Sequence, residues 1–126
     1  MQTADIDLEG QVWVKPINED ANFCGNYDGQ GHKIENFVLS DVTYAGLFGG
    51  MKGGSVKNLQ ILNASGPVEP DSTVSIATCV GFGDVEPPAG NSVLFENVTL
   101  SGTIAGTHNV GGFTAWTAGS VTFLNC

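Results

Sequence analysis

Apolar residues along this chain gather in short groups around asparagine rather than in long stripes. One template, apolar–any–Asn–apolar, appears as Ile34-Glu35-Asn36-Phe37, Val56-Lys57-Asn58-Leu59, Phe95-Glu96-Asn97-Val98 and Phe123-Leu124-Asn125-Cys126. The first three copies add an apolar residue two places on, at Leu39, Ile61 and Leu100. Apolar positions at −2, +1 and +3 cannot share one face of a straight strand, where a face recurs every second residue. Each Asn is therefore predicted at a bend that resets the inward phase. Asn suits such a corner because it tolerates left-handed backbone and bonds neighbouring backbone groups. Corners in register would pile Asn36, Asn58 and Asn97 into one column.

A second template alternates with the first: Ala45-Gly46-Leu47-Phe48-Gly49-Gly50, Val80-Gly81-Phe82-Gly83 and Val110-Gly111-Gly112-Phe113. Two short strand-like units in strict alternation, joined by loops of unequal length, predict a coil of β-strands. No 12-residue window keeps a helical apolar period free of Gly, Pro or Asn, so little or no helix is expected. Without crossover helices an ordinary α/β parallel sheet is excluded. An antiparallel sandwich competes, but it has no reason to repeat a corner residue in place. The stretches Gly66–Ser72 and Gly83–Asn91 hold four of the five prolines and read as insertions from one rung. Asn18-Glu19-Asp20-Ala21-Asn22 reads as a polar turn. Loops on a rigid scaffold are where binding residues concentrate, although solvated surface is the preferred reading of both insertions.

Composition narrows the function. The chain has 126 residues, enough for one modest core. Thirteen acids face four basic residues, all of them lysine, for a net charge of −9. That balance argues against nucleic acid, whose affinity comes from Lys and Arg on phosphates, and against acidic membranes. Apolar runs are too short to span a bilayer. Met1-Gln2-Thr3-Ala4-Asp5 lacks the basic and apolar regions of a secretory leader, and the chain reads as a single segment, 1–126, excised from a longer repeat protein. Cys24, Cys79 and Cys126, with His32 and His108, have no zinc-site spacing. The cysteines read as small packing residues, with a disulfide between two of them as the alternative.

Ala4-Asp5-Ile6-Asp7-Leu8, then Trp13, Pro16 and Ile17, then Phe23-Cys24-Gly25-Asn26-Tyr27-Asp28-Gly29-Gln30-Gly31-His32-Lys33-Ile34, resemble the opening of the bacterial GLUG-repeat surface proteins. Gly46-Leu47-Phe48-Gly49 is similar to that family's Gly-Leu-x-Gly unit. Asn109-Val110-Gly111-Gly112-Phe113, Gly119-Ser120-Val121 and Asn125-Cys126 are similar to its later repeat. Two units depart from the pattern: Gly112-Phe113-Thr114-Ala115 ends in Ala, and Gly81-Phe82-Gly83 is one residue short. The resemblance implies an all-β, right-handed parallel β-helix, a single-stranded β-solenoid on secreted or cell-surface proteins. Such proteins include adhesin-like chains and the non-catalytic parts of immunoglobulin A-specific metallopeptidases. It attaches no catalytic, cofactor-binding or metal-binding residue to the repeat.

At 22 to 39 residues per unit, the chain would make about five turns, a coil on the order of 25 Å long at the β spacing. Ile34, Phe37, Leu39, Leu47, Val56, Leu59, Ile61, Phe95, Val98, Leu100, Phe113, Val121 and Phe123 are expected to point inward. The rung at Asn125-Cys126 would be open, and end-to-end self-association through it is expected.

Candidate chemistry is sparse. Asp28 and His32 could serve acid–base work, but Asp-Gly-x-Gly reads first as a tight turn. Asp5 and Asp7 could contribute to a Ca²⁺ site, which needs six to eight oxygens, yet a solvated strand face explains them with less. Trp13, Trp116, Tyr27 and Tyr44 could stack on sugars, with core or edge packing preferred. Thr99, Thr103, Thr107, Thr114, Thr117 and Thr122 lack the constant rung spacing an ice-binding array needs. The leading expectation is a non-enzymatic surface module, a stalk or an adhesin for host glycan or protein, with adjoining repeats as partners. A carbohydrate-active β-helix enzyme with a cleft near the insertions is the alternative, although four lysines and no arginine suit acidic sugars poorly.

Overall fold

The computed structural model describes residues 1–13, 17, 23–39, 44–66, 73–82, 92–106, 109–118 and 120–126; for 44, 73–74, 78–82 and 118 it describes the backbone alone. Pro16, the turn at 18–22, most of both Pro-rich stretches (67–72 and 83–91), Thr107, His108 and Gly119 lie outside the described residues.

The described elements are strands, with no helix among them. The first seven are β1 (Ile6–Asp7), β2 (Val12–Trp13), β3 (Asn26–Asp28), β4 (Lys33–Glu35), β5 (Val38–Leu39), β6 (Tyr44–Ala45) and β7 (Phe48–Lys52). The remainder are β8 (Ser55–Ser65), β9 (Thr73–Ser75), β10 (Thr78–Phe82), β11 (Val93–Thr103), β12 (Val110–Gly111), β13 (Thr114–Ala118) and β14 (Val121–Leu124). The largest sheet runs β1-β4-β8-β11-β14, with β3 and β5 also on β8 and β2 on β5. Two smaller sheets run β7-β10-β13 and β6-β9-β12. Every pairing is parallel. From β6 onward the chain visits the three sheets in one cyclic order, repeated three times: β6, β7, β8, then β9, β10, β11, then β12, β13, β14. Parallel neighbours without crossover helices require such a path, because each strand must travel around the others before meeting its successor. The large sheet curls as it goes.

Its curl is built into the sequence. Along β8, Val56 is buried, then Leu59 and Ile61, then Ala64. The inward step lengthens from two residues to three at Asn58 and again at Asn63, and both residues have positive φ, 51° and 52°. The same step occurs from Ile34 to Phe37 across Asn36 and from Phe95 to Val98 across Asn97. The predicted phase reset is thus a left-handed corner, a conformation that costs most L-residues ~1–2 kcal/mol and Asn less.

The core holds nine of the expected inward residues, Ile34, Phe37, Leu39, Leu47, Val56, Leu59, Ile61, Phe95 and Val98, all buried. Leu100, Phe113 and Val121 are partly buried. Phe123 is 45% exposed. It stacks on Phe95 at 5.5 Å and 11° between planes, with β14 at the end of the large sheet's strand order. Phe48, Met51, Ile76, Ala77 and Val93 join the core without having been expected.

The Gly-rich template needs one correction. Ala45 pairs with Val74 and Val74 with Val110, while Phe48 pairs with Thr78 and Thr78 with Thr114. The middle counterpart of Gly46-Leu47 and Gly112-Phe113 is therefore Ile76-Ala77, where the chain bends between β9 and β10. Val80-Gly81-Phe82 lies further along, over Gly50-Met51-Lys52. Gly81 thus matches in composition but not in register. Ten residues (83–92) join β10 to β11, whereas two join β7 to β8 and two join β13 to β14.

Candidate functional site

The corner asparagines do stack, in two columns rather than one. Asn125 Nδ2 donates to Asn97 Oδ1 (3.2 Å), Asn97 Nδ2 to Asn58 Oδ1 (3.0 Å), and Asn58 Nδ2 to Asp28 Oδ1 (3.1 Å). In the second column Asn63 Nδ2 donates to Asn36 Oδ1 (2.7 Å) and Asn36 Nδ2 to Asp7 Oδ1 (2.9 Å). The expectation that Asn36 shares a column with Asn58 and Asn97 is overturned. Ile34 pairs with Ile61, so Asn36 lies at the level of the next corner along β8, that of Asn63. The segment stacked on Val56-Lys57 is Tyr27-Asp28.

The carboxylate at the foot of each column sets its direction. An ionised Asp only accepts, so the amide above it must present N–H and turn its oxygen to the next layer. Each later Asn inherits that orientation. Both feet are built alike, from Asp7-Leu8-Glu9-Gly10-Gln11 and Asp28-Gly29-Gln30-Gly31-His32. Asp7 Oδ1 accepts from Glu9 N (2.9 Å), and Asp28 Oδ1 from Gln30 N (2.8 Å). Glu9 and Gln30 have φ of 51° and 52°, with Gly10 and Gly31 next in the chain at 79° and 81°. Gly10 N donates to Asn36 O and Gly31 N to Asn58 O, and Gln11 N and His32 N close each turn on Leu8 O and Gly29 O. Gly29 is required by close approach, since a Cβ there would lie 2.5 Å from Asn58 O. A turn of the form Asp-x-(Glu/Gln)-Gly thus takes the place of the Asn corner where each column begins.

Hydrogen bonds to the ionised form depress all three aspartates. Asp28 is held below its ordinary value by the Gln30 amide and then Asn58. Asp7 is lowered by Asn36 and then the Glu9 amide, and Asp5 by His32 and then the Lys33 amide. His32 Nδ1 meets Asp5 Oδ1 at 2.9 Å, so the structure gives His32 to Asp5, and Asp28 to the turn and column. Asp5 and Asp7 are each engaged in capping backbone and side-chain donors. Among the described residues no group of three or more His, Cys, Asp or Glu side chains could hold a metal ion.

The aromatics divide. Trp13 packs edge-on against Phe37 (6.4 Å) and its indole N–H donates to Leu47 O (3.3 Å). Tyr27 packs against Phe48 (5.8 Å) and its hydroxyl donates to Gln2 Oε1 (2.9 Å), with burial pushing its pKa up. Trp116 is 47% exposed. The Tyr44 side chain lies outside those described. Cys24 and Cys126 are exposed, which corrects the packing role for these two; Cys126 Sγ lies 3.5 Å from Phe95 O. The Cys79 side chain is outside those described.

Two outcomes test the columns. Asn58→Ala should destabilise the protein by about 2 kcal/mol, since it loses amide bonds and places Ala at positive φ. Asn58→Gly should cost less in denaturant unfolding, because only the bonds are lost; equal costs would contradict the left-handed corner. The depressed aspartates predict acid sensitivity. The unfolded chain, with ordinary carboxyl values near 3.8, binds more protons than the native one at low pH. The stabilisation is therefore present above that value and lost as pH falls through the lower native values. Unfolding midpoints should drop as the pH is taken below the ordinary carboxyl value of 3.8, and Asp7→Asn with Asp28→Asn should flatten that slope.

No family model matches the chain, and no solved structure matches it. It is similar to halomucin of Haloquadratum walsbyi (strain DSM 16790 / HBSQ001), 33% identical over 126 aligned residues that take in 87% of this chain. The chain spans about 1% of the length of halomucin. Among the described residues no helix is long and apolar enough to cross a membrane.

Proposed function

We propose that the chain is a non-enzymatic β-solenoid module of a cell-surface or secreted protein, a right-handed parallel β-helix of about five turns that serves as a stalk and presents an adhesive face to glycan or protein. The observation that carries this reading is the pair of amide columns on a cyclic, wholly parallel strand path. In those columns the polar side chains of the corners bond one another, an arrangement suited to a rigid rod. The resemblance of the opening block and Gly-rich units to GLUG-repeat surface proteins supports the same reading. Similarity to halomucin supports an extracellular or cell-surface location. The exposed apolar side chains of Phe123 and Leu124 on β14 support end-on contact with a further coil or a second copy.

A glycan array and a reducing-end assay on the purified chain test the proposal together. Retention of glycans without release of new reducing ends is the expected result. Turnover of any polysaccharide would overturn it in favour of a carbohydrate-active enzyme.

A further inference from the structure

Five asparagines occupy equivalent corners, Asn36, Asn58, Asn63, Asn97 and Asn125, all with φ between 51° and 58°. The first four differ at the position two residues on. Asn63-Ala64-Ser65 and Asn97-Val98-Thr99 carry a hydroxyl residue there, whereas Asn36 and Asn58 have Val38 and Gln60. Asn-x-Ser/Thr with x other than Pro is the acceptor signal for N-linked glycan. Exposure divides along the same line: Asn63 and Asn97 are exposed, while Asn36 and Asn58 are half-buried. In both tripeptides the middle residue is buried, Ala64 at 1% and Val98 at 0%. That anchors the centre of each signal in the core and leaves the asparagine and the hydroxyl residue, Ser65 or Thr99, in solvent.

We infer that Asn63 and Asn97 are N-glycosylation sites, an inference that rests on the surface location proposed above. A primary amide has two N–H bonds. The column uses one, to Asn36 from Asn63 and to Asn58 from Asn97, and sugar transfer consumes the other. The donor is an oligosaccharide held on a lipid phosphate. The bond from Nδ2 to the sugar C1 forms, the C1–O bond to phosphate breaks, the amide gives up one proton, and the lipid phosphate leaves. The product keeps one N–H and its carbonyl, so both columns survive the modification. Asn63 tops its column, and the next layer meets it with Ser101, whose Oγ accepts from Asn63 N (3.0 Å), and with Gly102, both small. A bulky, hydrophilic chain at these corners would project away from the core.

The test uses the full chain recovered from the cell that makes it, with surface and interior fractions kept apart. Because the sequence has four lysines and no arginine, a protease other than trypsin should be used before tandem mass spectrometry. Sugar-bearing peptides at Asn63 and Asn97, with Asn36 and Asn58 bare, are expected. Ser65→Ala and Thr99→Ala should each abolish the sugar at their own site while leaving the column asparagines in place, and Ser65→Thr should retain it. Bare Asn63 and Asn97 in surface-exposed chain would overturn this inference and leave the surface module standing. A chain found only in the interior fraction would overturn both.

Discussion

An acceptor-only carboxylate beneath a stack of amides is the constraint on which the structure depends. An asparagine side chain is nearly symmetric in shape, and a column of them could donate in either direction. Asp28 and Asp7 remove that freedom, because each is engaged as an anion by a backbone amide of its own turn. The polarity they impose passes through Asn58 and Asn97 to Asn125, and through Asn36 to Asn63. Each bond is a modest contribution to stability on its own, about 0.5–1.5 kcal/mol for a neutral pair and more where a charge takes part. Their larger effect is on register. A slip by one residue would turn every inward side chain outward, and would also leave each corner amide facing a residue that cannot answer it.

Backbone, core and columns reinforce one another at the same positions. A left-handed residue is needed wherever the inward step lengthens from two to three, and Asn supplies that conformation while its side chain reaches the layer before. The apolar residues on either side then fall into line: Val56 with Phe95 and Phe123, Leu59 with Val98, Ile61 with Leu100. Lys57 and Glu96, opposite one another on the outer face, close an ion pair at 2.7 Å, a surface contact of the kind worth up to ~1 kcal/mol. Agreement of local preference with packing and polar partners is what gives a repeat chain one fold instead of many.

Much of this was legible in the residues. The mismatch of −2, +1 and +3 with strand periodicity located the bends at Asn36, Asn58 and Asn97, and those bends are where the sign of φ changes. Column membership was less legible, for two physical reasons. Asp28-Gly29-Gln30-Gly31-His32 makes its corner with two residues more than an Asn corner, since Asp28 pairs with Lys57 and Lys33 with Gln60. That corner also carries Asp in place of Asn, so counting from Asn to Asn takes Asn36 for the first corner of its rung when it is the second. Ile61-Leu62-Asn63-Ala64 fits the apolar–any–Asn–apolar template, but its small final residue hid it among larger matches. The two feet could have been found by comparing Asp-Leu-Glu-Gly with Asp-Gly-Gln-Gly. Among the Gly-rich units, composition misled because the bend at Ile76-Ala77 uses no glycine.

The assignment of corners to columns is the claim that most directly separates this account from a looser stack of strands. Side-chain amide NOEs in a ¹⁵N-labelled sample measure it. Contacts from the Asn97 Nδ2 protons to Asn58, and from those of Asn63 to Asn36, are the predicted result. Contacts joining Asn36 to Asn58 instead would contradict it.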